Sequence, residues 1–150
     1  MSVVKHPISL IATFLWIGFV CAISFMEAWL KFRAEGITIP LGLGIGRLVF
    51  GALNKVEWVL AVAILLNQLY DFNAIRIKKL LWFLIPLLLV ILQTLWLLPA
   101  LDQRAELIIQ GQLLPPSNLH FYYVAAELVK IICLFVFGFS LFTLKENHER

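Results

Sequence analysis

Long apolar runs separated by short polar segments dominate the chain, and four of these runs have about the length of a membrane-spanning helix. A helix needs about 20 predominantly apolar residues to cross the hydrocarbon core of a bilayer. The sequence therefore predicts an all-α polytopic membrane protein, an up-down bundle of four transmembrane helices that forms one integral membrane domain over residues 1–150. The predicted helices cover approximately residues 8–31, 43–70, 79–101 and 119–145.

Glycine and proline residues mark the predicted helix boundaries. Gly36 and Pro40 precede the second helix, and Ser117 or Asn118 is placed to cap the fourth. Pro99 is expected to help end the third helix, because a prolyl nitrogen cannot donate the hydrogen bond that continues a helix. The first run is longer than the apolar region of a signal peptide and no small-residue cleavage site follows it, so we expect it to remain as a helix.

The composition agrees with a membrane protein and excludes most other classes. Hydrophobic residues make up 62% of the chain and charged residues 14%, with a mean hydropathy of +0.95, whereas soluble domains are about 45–50% apolar and about 25% charged. The net charge of +3 is too small to indicate a nucleic-acid partner. Cys21 and Cys133 lie within apolar runs without metal-binding or redox spacing, so both are predicted to be buried structural thiols.

The basic residues near the helix ends predict the orientation, because Lys and Arg are enriched on the cytoplasmic side of a membrane protein. One set of ends and loops contains Lys5, Arg76, Lys78, Lys79, Lys145 and Arg150. The opposite set contains Lys31, Arg33 and Arg104, with Arg47 close to the boundary. The larger set predicts that both termini lie in the cytoplasm. We further expect that the protein spans the inner membrane of the cell.

The few charged residues inside the runs lie at a similar depth. At a rise of about 1.5 Å per residue, Glu57 and Lys130 lie about 21–22 Å from the cytoplasmic ends of their helices. Charges at such a depth are costly unless they pair or face the bundle interior, so the sequence predicts a polar pocket open to the non-cytoplasmic side. Its predicted residues are Glu27, Arg47, Asn54, Glu57, His120, Tyr123, Glu127 and Lys130, and its predicted rim is Asp102, Arg104 and Glu106 in the third loop.

Several of these residues also have a purely structural interpretation. Glu57 and Lys130 form one candidate ion pair that would fix the register of the helices. Glu127 with Lys55 or Arg47 forms another. No Glu-x-x-His pair is present for a di-iron bundle, and the sequence identifies neither a metal site nor a cofactor.

Three functions fit the predicted pocket. The first is binding or transport of an ion, a proton or a small amphiphile, with Glu27, Glu57 and Glu127 supplying negative charge. The second is a membrane enzyme or redox subunit that acts on a lipid-like or quinone-like substrate, with a glutamate or His120 as the acid–base group. The third is an accessory or structural subunit, whose charged groups stabilise the bundle or contact a second copy or a partner subunit in the bilayer.

Four sequence segments follow one another near the predicted helix ends: residues 25–32 (FMEAWLKF), 46–54 (GRLVFGALN), 97–102 (LLPALD) and 117–120 (SNLH). In this layout the chain resembles the small four-helix membrane proteins of the transmembrane-protein-205 type, a family of unknown biochemical function. The histidine that such proteins tend to carry early in the first helix is absent from this chain. The resemblance implies a four-helix membrane fold and assigns no activity, cofactor or ligand.

Overall fold

The structure, a computed structural model, describes residues 2–4, 6–70 and 77–144 and is helical over most of them. Four helical stretches are long and apolar enough to cross a membrane. We refer to them in chain order as stretches 1 to 4, which are Pro7–Arg33, Ile39–Leu69, Leu80–Ile109 and Leu119–Ser140. The prediction of a helical protein with four helices of membrane-spanning length is confirmed.

Two of the four stretches contain irregular helical segments. Stretch 1 consists of helix α1 (Pro7–Val20), a π-helical segment (Cys21–Glu27), the short helix α2 (Ala28–Leu30) and a 3₁₀ turn (Lys31–Arg33). Stretch 2 is the single helix α3 (Ile39–Leu69). Stretch 3 lies within helix α4 (Ile77–Leu92), a second π-helical segment (Gln93–Leu97) and helix α5 (Leu98–Ile109). Stretch 4 is the single helix α6 (Leu119–Ser140).

A short two-stranded ladder lies beyond the ends of stretches 1 and 4. Strand β1 (Ser2–Val4) pairs antiparallel with strand β2 (Phe142–Leu144), in a register that places Val3 opposite Thr143. The fourth helix therefore ends at Ser140, whereas the sequence predicts that it continues to residue 145. The sequence does not reveal this ladder, because a short apolar run has no periodicity that distinguishes a strand from a helix.

Two further helix boundaries differ from their predicted positions. Helix α3 begins at Ile39, and the side chain of Thr38 caps it by accepting a hydrogen bond from the Leu41 amide at 3.4 Å. The prediction that Pro99 ends the third helix is wrong, since α5 continues to Ile109. Pro99 lies in the first turn after a π-helical segment, where the regular hydrogen-bond ladder is already interrupted, so the missing amide proton does not stop the helix.

The basic residues that predict the orientation lie mostly beyond what the structure describes. Lys5, Arg76, Lys145 and Arg150 lie outside the described residues, and only the backbone of Lys78 and Lys79 is described. The smaller set is fully described: Lys31 and Arg33 form the last turn of stretch 1, and Arg104 lies in α5. The predicted orientation therefore stays a prediction.

The four stretches form a ring, in which each stretch packs against the next one and stretch 4 packs against stretch 1. The largest fully buried apolar side chains are Trp16, Phe83, Phe137, Ile64, Leu97 and Leu134. Near one end of the bundle, the backbone amide and the hydroxyl of Ser9 donate to Asn67 Oδ1 at 3.1 and 2.8 Å. The charged residues whose side chains the structure describes lie towards the opposite end, around the site described next.

Candidate functional site

A cluster of polar side chains lies buried between the four stretches, with Lys130 at its centre. The Lys130 ammonium group donates to Glu57 Oε1, to Gln93 Oε1 at 2.7 Å and to Glu127 Oε1 at 3.2 Å. All four residues have 0% of their surface exposed. Because an ammonium group has three N–H donors, this cation is fully hydrogen-bonded without solvent.

Two further donors complete the contacts of this group. The Trp16 indole N–H donates to Glu57 Oε1 at 2.8 Å, and the Gln93 amide donates to Glu127 Oε1 at 2.8 Å. Each of the four stretches contributes at least one of these side chains. We call the five residues Trp16, Glu57, Gln93, Glu127 and Lys130 the Lys130 cluster. Because its members come from all four stretches, the cluster fixes how the stretches are rotated against one another.

Among the described residues, four buried oxygen atoms have no hydrogen-bond partner: Glu57 Oε2, Glu127 Oε2, Tyr123 OH and Ser24 Oγ. Tyr123 lies close enough to Glu127 and Ser24 to interact with both, although its hydroxyl makes no hydrogen bond of good geometry. Each carboxylate of the Lys130 cluster thus makes all of its hydrogen bonds through Oε1. A buried polar atom without a partner costs about 1–3 kcal/mol and is a sign of strain or function.

Helix geometry explains how these groups come together. Tyr123, Glu127 and Lys130 are spaced by four and then three residues, so they share one face of α6. Ser24 and Gln93 lie in the two π-helical segments. A π-helical turn redirects the side chains that follow it, and such turns are frequent at functional sites.

A cavity of about 580 Å³ lies near the end of the bundle where residues 34–38 and 110–118 connect the stretches. Its apolar walls include Phe32, Leu43, Phe50, Leu98 and Leu101. Gly42, Gly46 and Gly51 also line it, and a Cβ atom on Gly42 would overlap the Phe32 ring. Tyr123 lines the cavity and is itself 2% exposed. Tyr123 therefore lines the cavity and also lies beside Glu127 of the Lys130 cluster.

Charged side chains lie at the solvent-exposed mouth of the cavity. Arg47 donates through Nε and Nη2 to the two carboxylate oxygens of Asp102 at 2.5 and 3.1 Å, and through Nη1 to Glu106. The side chain of Asp102 is 52% exposed, so solvent reaches this ion pair. Lys31 donates to Glu27 at 3.2 Å, and its ammonium group lies 5.4 Å from the centroid of the Phe50 ring.

Neutral polar side chains lie at the inner end of the cavity. Asn54 Nδ2 and Trp58 Nε1 both donate to Thr94 Oγ1 at 3.0 Å, and Thr94 donates to the carbonyl of Val90 at 2.7 Å. The bonds from Asn54 and Trp58 to Thr94 connect stretch 2 to stretch 3 at this inner end of the cavity. The cavity thus has a charged mouth, apolar walls and an uncharged polar floor.

The structure divides the predicted pocket residues between two places. The Lys130 cluster contains the predicted residues Glu57, Glu127 and Lys130. The cavity is lined by the predicted residues Arg47, Asn54, Asp102, His120 and Tyr123. Glu27 belongs to neither of them: it is the last residue of the first π-helical segment, and its side chain, 24% exposed, contacts Lys31.

Two predicted placements need correction. Asp102, Arg104 and Glu106 lie on α5 and not in a loop, because the helix continues past Pro99. Arg104 donates to the carbonyl of Pro115 and does not line the cavity.

The candidate ion pairs also differ in part from their predicted partners. Of the two candidate ion pairs, the structure contains the contact between Glu57 and Lys130. Glu127 contacts Lys130, three residues further along α6, in place of Lys55 or Arg47. Arg47 is instead held by two carboxylates of α5, which the shorter predicted helix does not bring to it.

Gln93, Thr94 and Trp16 take part in the site but are absent from the predicted pocket. Gln93 and Thr94 form an uncharged polar pair within an otherwise apolar run, and this is the signal that would have located them. Trp16 has no such signal, because a tryptophan in an apolar run is expected to pack or to lie at the membrane interface.

The site therefore combines a fully buried charged cluster with a cavity, and Tyr123 lies between them. Its chemistry follows from the residues of this chain alone. Comparison of the chain with protein-family models, with curated proteins and with solved structures finds no match.

Proposed function

We propose that the chain is a multi-pass membrane protein that binds a small amphiphile in the cavity between its helices. Large apolar side chains point away from the bundle along its length, with Leu48 77% and Leu95 76% exposed. Soluble monomers rarely expose contiguous apolar surface on this scale, whereas lipid tails solvate it. The charged residues inside the bundle have the interior position that membrane helices require of them.

The proposal includes an up-down topology with both termini on the cytoplasmic side of an inner membrane. Antiparallel neighbours bring the start of one helix to the end of the next, and the contacts of Ser9 with Asn67 and of Arg47 with Asp102 have this form. The excess of Lys and Arg near the termini and the central loop supports the orientation. In this orientation the cavity mouth faces the non-cytoplasmic side. The proposed kinship with transmembrane-protein-205-like proteins concerns this fold and not the ligand.

Cysteine labelling tests the orientation. In a background in which Cys21 and Cys133 are replaced by alanine, Glu35→Cys and Gln112→Cys are expected to react with a membrane-impermeant maleimide in intact spheroplasts. Ser2→Cys is the matched control and is expected to react only after the membrane is permeabilised. Labelling of Ser2→Cys in intact spheroplasts, with protection of the other two variants, would show the opposite orientation.

The amphiphile assignment rests on the cavity itself. Its volume of about 580 Å³ lies within the range of about 300–1,000 Å³ that is typical of small-molecule sites. Phe50 and Leu98 offer an apolar surface for a hydrocarbon chain, and Arg47 with Asp102 at the mouth offers donors and acceptors for a polar head group. Apolar walls with a few polar groups at defined positions are the usual composition of such a site.

Filling the cavity is expected to abolish binding. Gly51 lines the cavity, and a Cβ atom added there meets no other atom within 4 Å. A Gly51→Leu side chain therefore starts in open space, and we expect it to extend into the cavity. We expect the fraction of protein that carries a copurified amphiphile to fall at least about tenfold, which corresponds to about 1.4 kcal/mol of binding free energy. Native mass spectrometry of protein purified in mild detergent measures this fraction.

Gly44→Leu is the matched control. Gly44 lies in the same helix, has no atom within 4 Å of an added Cβ atom and does not line the cavity. Both variants replace glycine with a good helix former, so their effects on helix stability are similar. If both variants retain the bound amphiphile, or if the wild-type protein carries none, the proposal is wrong.

A further inference from the structure

We propose that the Lys130 cluster is a proton-binding site, in which Glu57 and Glu127 together hold one exchangeable proton that reaches them from the cavity past Tyr123. This inference does not depend on the proposed amphiphile. It rests on the number of charges in the cluster, on the hydrogen bonds that each charged group makes, and on the different access to water at the two sides of the cluster.

The charges of the cluster do not balance. Lys130 is one cation, and it contacts two carboxylates, those of Glu57 and Glu127. All three residues are 0% exposed. With both carboxylates ionised, the cluster would hold one uncompensated negative charge away from water, and such a charge is among the most costly groups that a protein can bury. One bound proton removes it.

No other charged group among the described residues supplies the missing positive charge. Stretch 1 presents only the indole of Trp16 and, nearby, the hydroxyl of Ser24. Stretch 2 presents Glu57, and stretch 3 presents the neutral amide of Gln93. Stretch 4 presents Glu127, Lys130 and the phenol of Tyr123. Arg47 and Lys31 are held by their own carboxylate partners at the cavity, and Lys55, which also lines the cavity, is exposed.

The hydrogen bonds show where the proton binds. All three N–H donors of Lys130 are used, and they end on Glu57 Oε1, Glu127 Oε1 and Gln93 Oε1. The Oε2 atoms of both glutamates are buried and have no donor. A proton on one Oε2 atom neutralises that carboxyl group and converts an acceptor without a partner into a donor. The hydroxyl of Tyr123 lies next to Glu127 as an acceptor for it, and Ser24 lies in turn next to Tyr123.

The two sides of the cluster differ in their access to water. Tyr123 lines the cavity, so a hydronium ion in the cavity can transfer its proton towards Glu127 and leave as a water molecule. On the opposite side, one helical turn beyond Glu57 and Lys130, the residues are Ala61 and Leu134, which are 1% and 0% exposed. These side chains belong to the apolar core, so the proton exchanges with one side of the bundle only.

Infrared difference spectroscopy of the whole protein at neutral pH tests the proposal. The wild type is expected to show the carbonyl band of one protonated carboxylic acid, and this band is expected to shift in D₂O. Glu57→Gln and Glu127→Gln are each expected to abolish the band, because one remaining carboxylate is balanced by Lys130. Glu35→Gln, at an exposed position in the loop after stretch 1, is the control and is expected to leave the band unchanged.

Three results would overturn the proposal. A wild-type spectrum without the band would show that both carboxylates are ionised. A band that persists in either glutamine variant would show that the charge count does not determine protonation. A band present in choline chloride and absent in sodium chloride at equal ionic strength would identify a metal-cation site in place of a proton site. Gly51→Leu is expected to retain the band and to slow its shift in D₂O, which separates this proposal from amphiphile binding.

Discussion

Replacing Lys130 with methionine is expected to lower the free energy of unfolding by about 3–5 kcal/mol, the usual cost of removing one partner from a buried ion pair. Methionine fills a similar volume but leaves the carboxylates of Glu57 and Glu127 without their shared cation. It also removes the hydrogen-bond donor to Gln93 Oε1. Reversible unfolding of the purified protein in mixed micelles, followed by tryptophan fluorescence, measures this loss.

Two comparisons separate the effect of charge from that of packing. Lys55→Met is the matched control, because Lys55 is exposed, and we expect little change in its stability. The triple variant Lys130→Met, Glu57→Gln, Glu127→Gln removes all three charges and is expected to recover most of the stability lost in Lys130→Met. If the triple variant is no more stable than Lys130→Met, the loss comes from packing and the cluster is not held together by charge.

Gln93→Leu is expected to lower the free energy of unfolding by about 2–4 kcal/mol, because it leaves buried partners without their hydrogen bonds. Gln93 accepts from Lys130 at 2.7 Å and donates to Glu127 at 2.8 Å. Leucine can replace neither bond, and both partners are fully buried, so water cannot replace them either. The same unfolding measurement applies.

Gln103→Leu provides the control for this second variant. Gln103 lies in stretch 3 like Gln93, but it is exposed, so the same chemical change is expected to leave stability almost unchanged. A loss in Gln93→Leu no larger than in Gln103→Leu would mean that the amide contributes nothing to the cluster. Equal losses of several kcal/mol in both variants would point to a general effect of leucine in stretch 3.

The number of helices and the grouping of charges were accessible from the sequence, because both depend on one-dimensional patterns. Apolar length predicts the four stretches, and residue counts along a helix place Glu57 and Lys130 at one depth. The contact between these two residues was one of the alternatives that the sequence left open. Depth alone could not decide among the alternatives, since the rotation of each helix about its axis depends on packing between helices.

The irregular helical segments explain most of what the sequence could not predict. Face assignments assume 100° per residue, and a π-helical segment breaks that count. Glu27 ends the first such segment and contacts Lys31 at the cavity mouth, without lining the cavity itself. Gln93 begins the second, and Pro99 follows it within a helix that continues to Ile109. The sequence predicts a pocket from its charged and polar residues, but not the apolar walls of the cavity, because apolar side chains and glycines in a membrane helix carry no signal of open space.

The ladder between β1 and β2 joins stretches 1 and 4, the one neighbouring pair in the ring that no connecting segment of the chain links directly. Three of the four neighbouring pairs are consecutive in the chain, so a connecting segment keeps their partners at a high effective concentration. Stretches 1 and 4 also pack together, but the whole chain separates them in sequence. The pairing of Ser2–Val4 with Phe142–Leu144 acts as a clasp for this pair. With the clasp closed, every neighbouring pair of stretches in the ring is joined at one end, either by a connecting segment of the chain or by the backbone ladder.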